Sequence, residues 1–157
     1  MRALQVRELT GPEGLELVEL PEPEAGERVL IDVRAAGVSF PDLLLTRGLY
    51  QEKPDLPFVP GVEVAGVVRS APPGSGFRPG DRVAAYTFLG GFAEVAAARA
   101  DQTFLLPPGM AFDAAAGLVM NYQTAWFGLR RRGRLAEGET LAVHGSASIT
   151  FLPISAK

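Results

Sequence analysis

The side chains that could handle protons or metals are few. The 157-residue chain holds one histidine, His144, and no cysteine. Disulfides, thiolate catalysis and cysteine-held zinc are thereby excluded, and the lack of cysteine suits a cytoplasmic location. Among the acids Glu63 stands apart. It follows the turn Pro60-Gly61 and opens an apolar run, where a carboxylate is costly to bury without a partner. A second run with chemical meaning is Thr140-Leu141-Ala142-Val143-His144-Gly145, which has the form of a strand opening a dinucleotide-binding fold. Such folds hold a pyrophosphate on backbone N–H groups at a helix N-terminus, reached through a glycine-rich turn. Residues 146–157 contain no glycine, and Pro153 falls where the helix interior would lie. A single βαβ unit needs roughly 30 residues, more than the stretch from Thr140 to Lys157 supplies. The pattern is that of a strand without its phosphate cradle.

Composition narrows the partners. A net charge of −3 argues against a nucleic-acid or anionic-membrane partner. No apolar run approaches the roughly 18–20 residues that span a bilayer. The first eight residues carry charges where a signal peptide needs an apolar stretch.

The elements that must position these groups are mostly strands. Gly (18) and Pro (13) are dispersed along the chain, as short strands joined by tight turns require. Residues 4–7 and 15–20 predict a hairpin, and alternation predicts strands over 28–35, 62–69, 81–86 and 92–97. Residues 40–47 predict a short helix carrying Asp42. Gly66 inside an apolar strand predicts a bulge or a close backbone approach. From Phe112 the period turns helical: one helix is expected over 112–119. A second is expected from Asn121, which is suited to capping free N–H groups. Tyr122, Ala125, Trp126 and Leu129 fall on one face of it, and Arg130-Arg131-Arg132 close its last turn.

Several segments in this order resemble the medium-chain dehydrogenase/reductase superfamily. The resemblance is strongest to its zinc-free quinone oxidoreductases of the zeta-crystallin type. The matching runs are Ala36-Gly37-Val38-Ser39-Phe40-Pro41-Asp42, Arg47-Gly48-Leu49-Tyr50, Leu56 to Val68, Gly80-Asp81-Arg82-Val83, Gly90-Gly91-Phe92-Ala93-Glu94, Leu106-Pro107-Pro108-Gly109 and Thr124-Ala125. The implied fold is mainly β with helices (α+β): a GroES-like, partly open β-barrel, then a helical bridge and a remnant first Rossmann strand. The implied divisions are a GroES-like catalytic domain over 1–120, a helix and strand of the nucleotide-binding domain over 121–145, and an atypical tail over 146–157. In zinc-dependent relatives the metal ligands align with Ser39 and Val62, so no zinc is expected. The chemistry implied is NADPH-dependent hydride transfer to a quinone or conjugated enone, whose carbonyl oxygen is met by hydroxyl donors. By the same resemblance Tyr50 and Ser39 are the catalytic-side residues, and Ser39, Asp42 and Thr124 lie against the cofactor.

Two readings follow. One is the substrate-side domain of such an enzyme, inactive alone because the phosphate cradle is missing. The other is a non-catalytic GroES-like binding or oligomerisation module. The expected partners are a small carbonyl or quinone compound and further copies of the chain, through exposed apolar surface on the Tyr122–Leu129 face or along the Ile149–Ile154 tail.

Overall fold

The computed structural model describes residues 1–143, so His144 and the expected tail lie outside the described residues. Seven strands form two sheets. β1 (Arg2–Val6) and β2 (Leu15–Glu19) make an antiparallel hairpin across a 3-10 turn at Pro12–Gly14. The other sheet has the order β6-β3-β4-β5-β7, antiparallel throughout: β3 is Val29–Gly37, β4 Glu63–Ser70, β5 Arg82–Tyr86, β6 Val95–Ala98 and β7 Thr103–Leu105. Single bridges, Ala3 to Ala93 and Val6 to Phe58, tie the hairpin to the larger sheet. The two sheets do not close into a barrel.

The strands read as they do because the larger sheet is covered on both faces. On one face Val29, Ile31, Val64, Val68, Val83 and Ala96 form a buried cluster. On the other, Ala65 and Ala84 meet Ala115 and Ala116 of helix α2 (Phe112–Ala116). The α2 side of the sheet is lined by alanines, which lets the helix backbone come close. The bulge foreseen at Gly66 is present: the β3–β4 register shifts between Val33 and Ala35, with Gly66 opposite Val33. A side chain at Gly66 would run into the Asp32 carbonyl.

Helix α1 spans Phe40–Thr46 and α3 spans Val119–Trp126. Several expectations need correction. Asn121 does not begin a helix: Leu118 is the N-cap of α3, and the Asn121 side chain donates back to the Gly117 carbonyl at 3.4 Å. The single long helix ends at Trp126 and widens into a π-helical stretch over Phe127–Arg132. Tyr122, Trp126 and Phe127 stand 42%, 55% and 50% exposed, with the guanidinium groups of Arg131 and Arg132 over the Trp126 and Phe127 rings. The strand expected over 92–97 starts at Val95, because the Phe92 and Glu94 backbones bond to Leu4, Pro60 and Arg2. Leu141–Val143, expected as the start of a strand, carry none. No helix among the described residues is long and apolar enough to cross a membrane.

Candidate functional site

Two buried carboxylates organise the start of β4. Asp42, on the first turn of α1, is 3% exposed. Its Oδ2 accepts from the Ser39 backbone N–H at 2.9 Å and from the Ser39 hydroxyl at 3.1 Å. Its Oδ1 accepts from the N–H groups of Gly61 and Val62, both at 3.1 Å. Ser39 is the N-cap of α1, and the Ser39-Asp42 pair makes the capping box that the spacing of three allows. The same carboxylate thus starts the helix and grips the Pro60-Gly61 turn. Burial pushes its pKa above the ordinary value, against the donors from Ser39, Gly61 and Val62.

Glu63 is fully buried one residue beyond that grip. Its Oε2 accepts the Met120 N–H at 2.8 Å, in the first turn of α3. Its Oε1 has no partner among the described residues. Burial raises its pKa, the Met120 N–H opposes the rise, and the charge of Asp42 adds to it. Gly37 makes room for this side chain: a Cβ there would stand 2.6 Å from Glu63 Cγ and against the Ala116 carbonyl.

Two cavities adjoin one another through shared wall residues. One, of about 570 Å3, is lined by Tyr50, Tyr86, Phe88, Glu52, Arg99 and Gln102, among others. The Tyr50 and Phe88 rings lie 6.4 Å apart, tilted by 39°. The other, about 250 Å3, is lined by Thr124, Met120, Gln123, Phe104, Tyr86 and Gln102, together with Asp101 and Val119. Tyr86 and Gln102 belong to both. The structure therefore brings Tyr50 and Thr124 to neighbouring walls of one cleft. Ser39 and Asp42 line neither cavity, and Asp42 is sealed behind Ser39. The Thr124 hydroxyl donates to the Met120 carbonyl at 2.7 Å, within its own helix.

Tyr86 was not singled out from sequence. Its signal was faint: a polar-tipped aromatic ending a strand of small residues, Val83-Ala84-Ala85. Its pKa is raised, first by burial and then by the proximity of Tyr50, Asp42 and Glu52. For metal binding the donors are poor. The Ser39 hydroxyl is turned to Asp42, and Val62 is a buried apolar side chain. Among the described residues no three His, Cys, Asp or Glu side chains gather into a group that could hold an ion.

The chain is similar to several known proteins. Residues 25–108 match the family described as the alcohol dehydrogenase GroES-like domain. Quinone oxidoreductase of Rattus norvegicus is 40% identical over 152 residues, covering 94% of this chain and 46% of that protein. A probable oxidoreductase of Mycobacterium abscessus superposes with a TM-score of 0.83 at 52% identity, over 88% of this chain and 45% of the other. The quinone oxidoreductase of Thermus thermophilus, solved also in complex with NADPH, gives a TM-score of 0.73 at 38% identity, over 85% and 41%. The chain spans about half the length of the relatives it matches.

Proposed function

Since the chain belongs to the medium-chain dehydrogenase/reductase superfamily and carries its GroES-like domain, we propose that it is the acceptor-binding part of an NADPH-dependent, zinc-independent oxidoreductase acting on a quinone or conjugated enone. The observation that carries this reading is the shared cleft, with the Tyr50 cavity opening beside the Thr124 cavity across Tyr86 and Gln102. Bound NADPH would supply a hydride.

The chain's own residues bind and orient. The Tyr50 hydroxyl donates to the acceptor's carbonyl oxygen, where charge develops on reduction. Thr124 takes the other side, from the smaller cavity, and Ser39, half-buried outside both cavities, is assigned to that side by resemblance alone. Each already gives its hydroxyl proton to an internal acceptor, Asp42 and the Met120 carbonyl. What remains on each oxygen is lone pairs, so both act as acceptors, matched to the N–H groups of a carboxamide. Asp42 works through Ser39 by fixing the direction of that hydroxyl.

The test is chemical-shift mapping on the 15N-labelled chain with two probes, duroquinone and reduced nicotinamide mononucleotide. Duroquinone is expected to move amides around Tyr50 and Tyr86, and the mononucleotide those of Ser39 and Thr124. Shifts that leave all four untouched sink the reading. Copies of the chain are further proposed to associate through the exposed Tyr122, Trp126 and Phe127 rings. Light scattering should report a dimer or larger species that Trp126→Glu weakens, and a monomer indifferent to that change overturns it.

A further inference from the structure

Two tyrosines, Tyr50 and Tyr86, line the larger cavity of the cleft, and the hydroxyl of neither makes a hydrogen bond among the described residues. The hydroxyls of Thr46, Thr87, Thr103 and Thr124 each donate to a backbone carbonyl at 2.7 to 2.9 Å. Ser39 donates to Asp42. The Tyr86 hydroxyl is unengaged, yet its ring is firmly held. It packs against two buried clusters, one containing Ala65, Ala84 and Val119 and one containing Val6 and Val62. Its backbone pairs with Glu63 across β4 and β5. A strand-borne ring with an unengaged hydroxyl, on the wall common to two cavities, is a pre-positioned donor.

We propose that Tyr86 is a second acceptor-binding residue, its hydroxyl donating to a carbonyl oxygen of an uncharged, planar quinone or enone lying against Tyr50 and Phe88. The inference rests on the reading that this cleft takes the acceptor. A lone donor fixes one point of a planar ligand, whereas a second, on a rigid strand, fixes its orientation. The two aromatic faces of Tyr50 and Phe88 suit a flat ring. Charges at the rim offset one another: Arg99 is paired with Asp101 at 2.7 Å, and Glu52 stands on the same wall as Arg28. That balance gives no preference to a carboxylated acceptor. The raised pKa of Tyr86 keeps the hydroxyl protonated, as a donor must be.

The experiment is equilibrium dialysis of the chain and its Tyr86→Phe variant with duroquinone and with durene, the same methylated ring without carbonyl oxygens. Tyr86→Phe keeps the packed ring and removes only the hydroxyl. Duroquinone binding is expected to weaken about three- to tenfold, the worth of one neutral hydrogen bond, with durene binding unchanged. Equal loss for both ligands makes Tyr86 a shape element and overturns the proposal, as does no loss for either. Failure of the unaltered chain to bind duroquinone overturns the acceptor-site reading itself, a result distinct from the other two. Should the variant melt early, the 13Cζ resonance of Tyr86 in the unaltered chain reads the same contact. It should shift on titration with duroquinone and stay fixed with durene, and a resonance that ignores both refutes the donor.

Discussion

Asp42 and Glu63 lie on either side of one turn, both buried, and the structure treats them in opposite ways. Asp42 is closed: each oxygen accepts two hydrogen bonds, from Ser39 on one side and from Gly61 and Val62 on the other. Glu63 is open: Oε2 meets Met120, and Oε1 meets no donor among the described residues. Desolvation raises both pKa values, and the charge of Asp42 adds to the rise at Glu63. The first carboxylate is a brace between a helix and a loop. The second is a latch, joining β4 to the first turn of α3, with one oxygen left over. A buried acceptor without a donor costs on the order of 1–3 kcal/mol. The lesson is that the α1 side of the cleft is held by completed bonds, while the α3 side, which carries Thr124, is held by an arrangement that protonation can ease.

The strongest way to break the comparison is at the brace. Asp42→Ala leaves the Gly61, Val62 and Ser39 N–H groups without their acceptor, a loss of about 3–5 kcal/mol by the cost of unsatisfied buried donors. Urea unfolding should show it, and Asp42→Asn, which keeps one acceptor, should lose roughly half as much. A change below about 1 kcal/mol for Asp42→Ala would mean that the brace is ornamental. The next effect belongs to the latch. Gly37→Ala inserts a methyl 2.6 Å from Glu63 Cγ and against a backbone carbonyl, which cannot yield as a flexible side-chain tip would. A destabilisation of about 2–3 kcal/mol is expected from overpacking. Because the methyl presses on the latch, exchange protection of the Met120 amide should fall more than that of Val62.

What the sequence made legible here is what alternation and turn chemistry encode. The strands from Val29 to Tyr86 and helix α1 stand within a residue or two of expectation, because each contains its own periodicity and caps. Tyr50 and Thr124, named by resemblance, line adjoining cavities. The rest depends on partners far along the chain. Asp42 could be seen as a helix-start residue, but its hold on Gly61 and Val62 joins positions 19 and 20 residues away. The orphaned oxygen of Glu63 depends on where α3 begins, and the polar character of Asn121 pointed three residues past the true N-cap, Leu118. There the buried carboxylate of Glu63 supplies the acceptor that a capping side chain would have given. β7, three residues long, exists because Thr103–Leu105 pair with β5, and no local pattern announces it. Tyr86 escaped because its role lies in what its hydroxyl lacks, which composition does not display.

The smallest expected effect at neutral pH is the one that separates latch from brace most sharply. Glu63→Gln keeps a carbonyl oxygen for the Met120 N–H and replaces the orphaned side with an amide N–H2. It also removes a buried charge. Stability near pH 7 should change by less than about 1 kcal/mol, since the lost hydrogen-bond strength and the relieved desolvation oppose each other. The pH dependence should change more. In the folded chain Glu63 holds its proton above the ordinary value of 4.5, whereas in the unfolded chain it has released it. The folded state therefore binds more protons in that window, and the stability from this group is full below 4.5 and lost as pH rises through the folded pKa. Glu94 and Asp101, exposed and with lowered pKa values, act with the opposite sign, their contribution being lost as pH falls. They are common to both proteins and cancel in the difference. Urea unfolding of the chain and of Glu63→Gln at successive pH values from 4.5 upward should give curves that converge or cross, the variant gaining relative stability as pH rises. Parallel curves would show that Glu63 titrates alike folded and unfolded, and the distinction from Asp42 would fall.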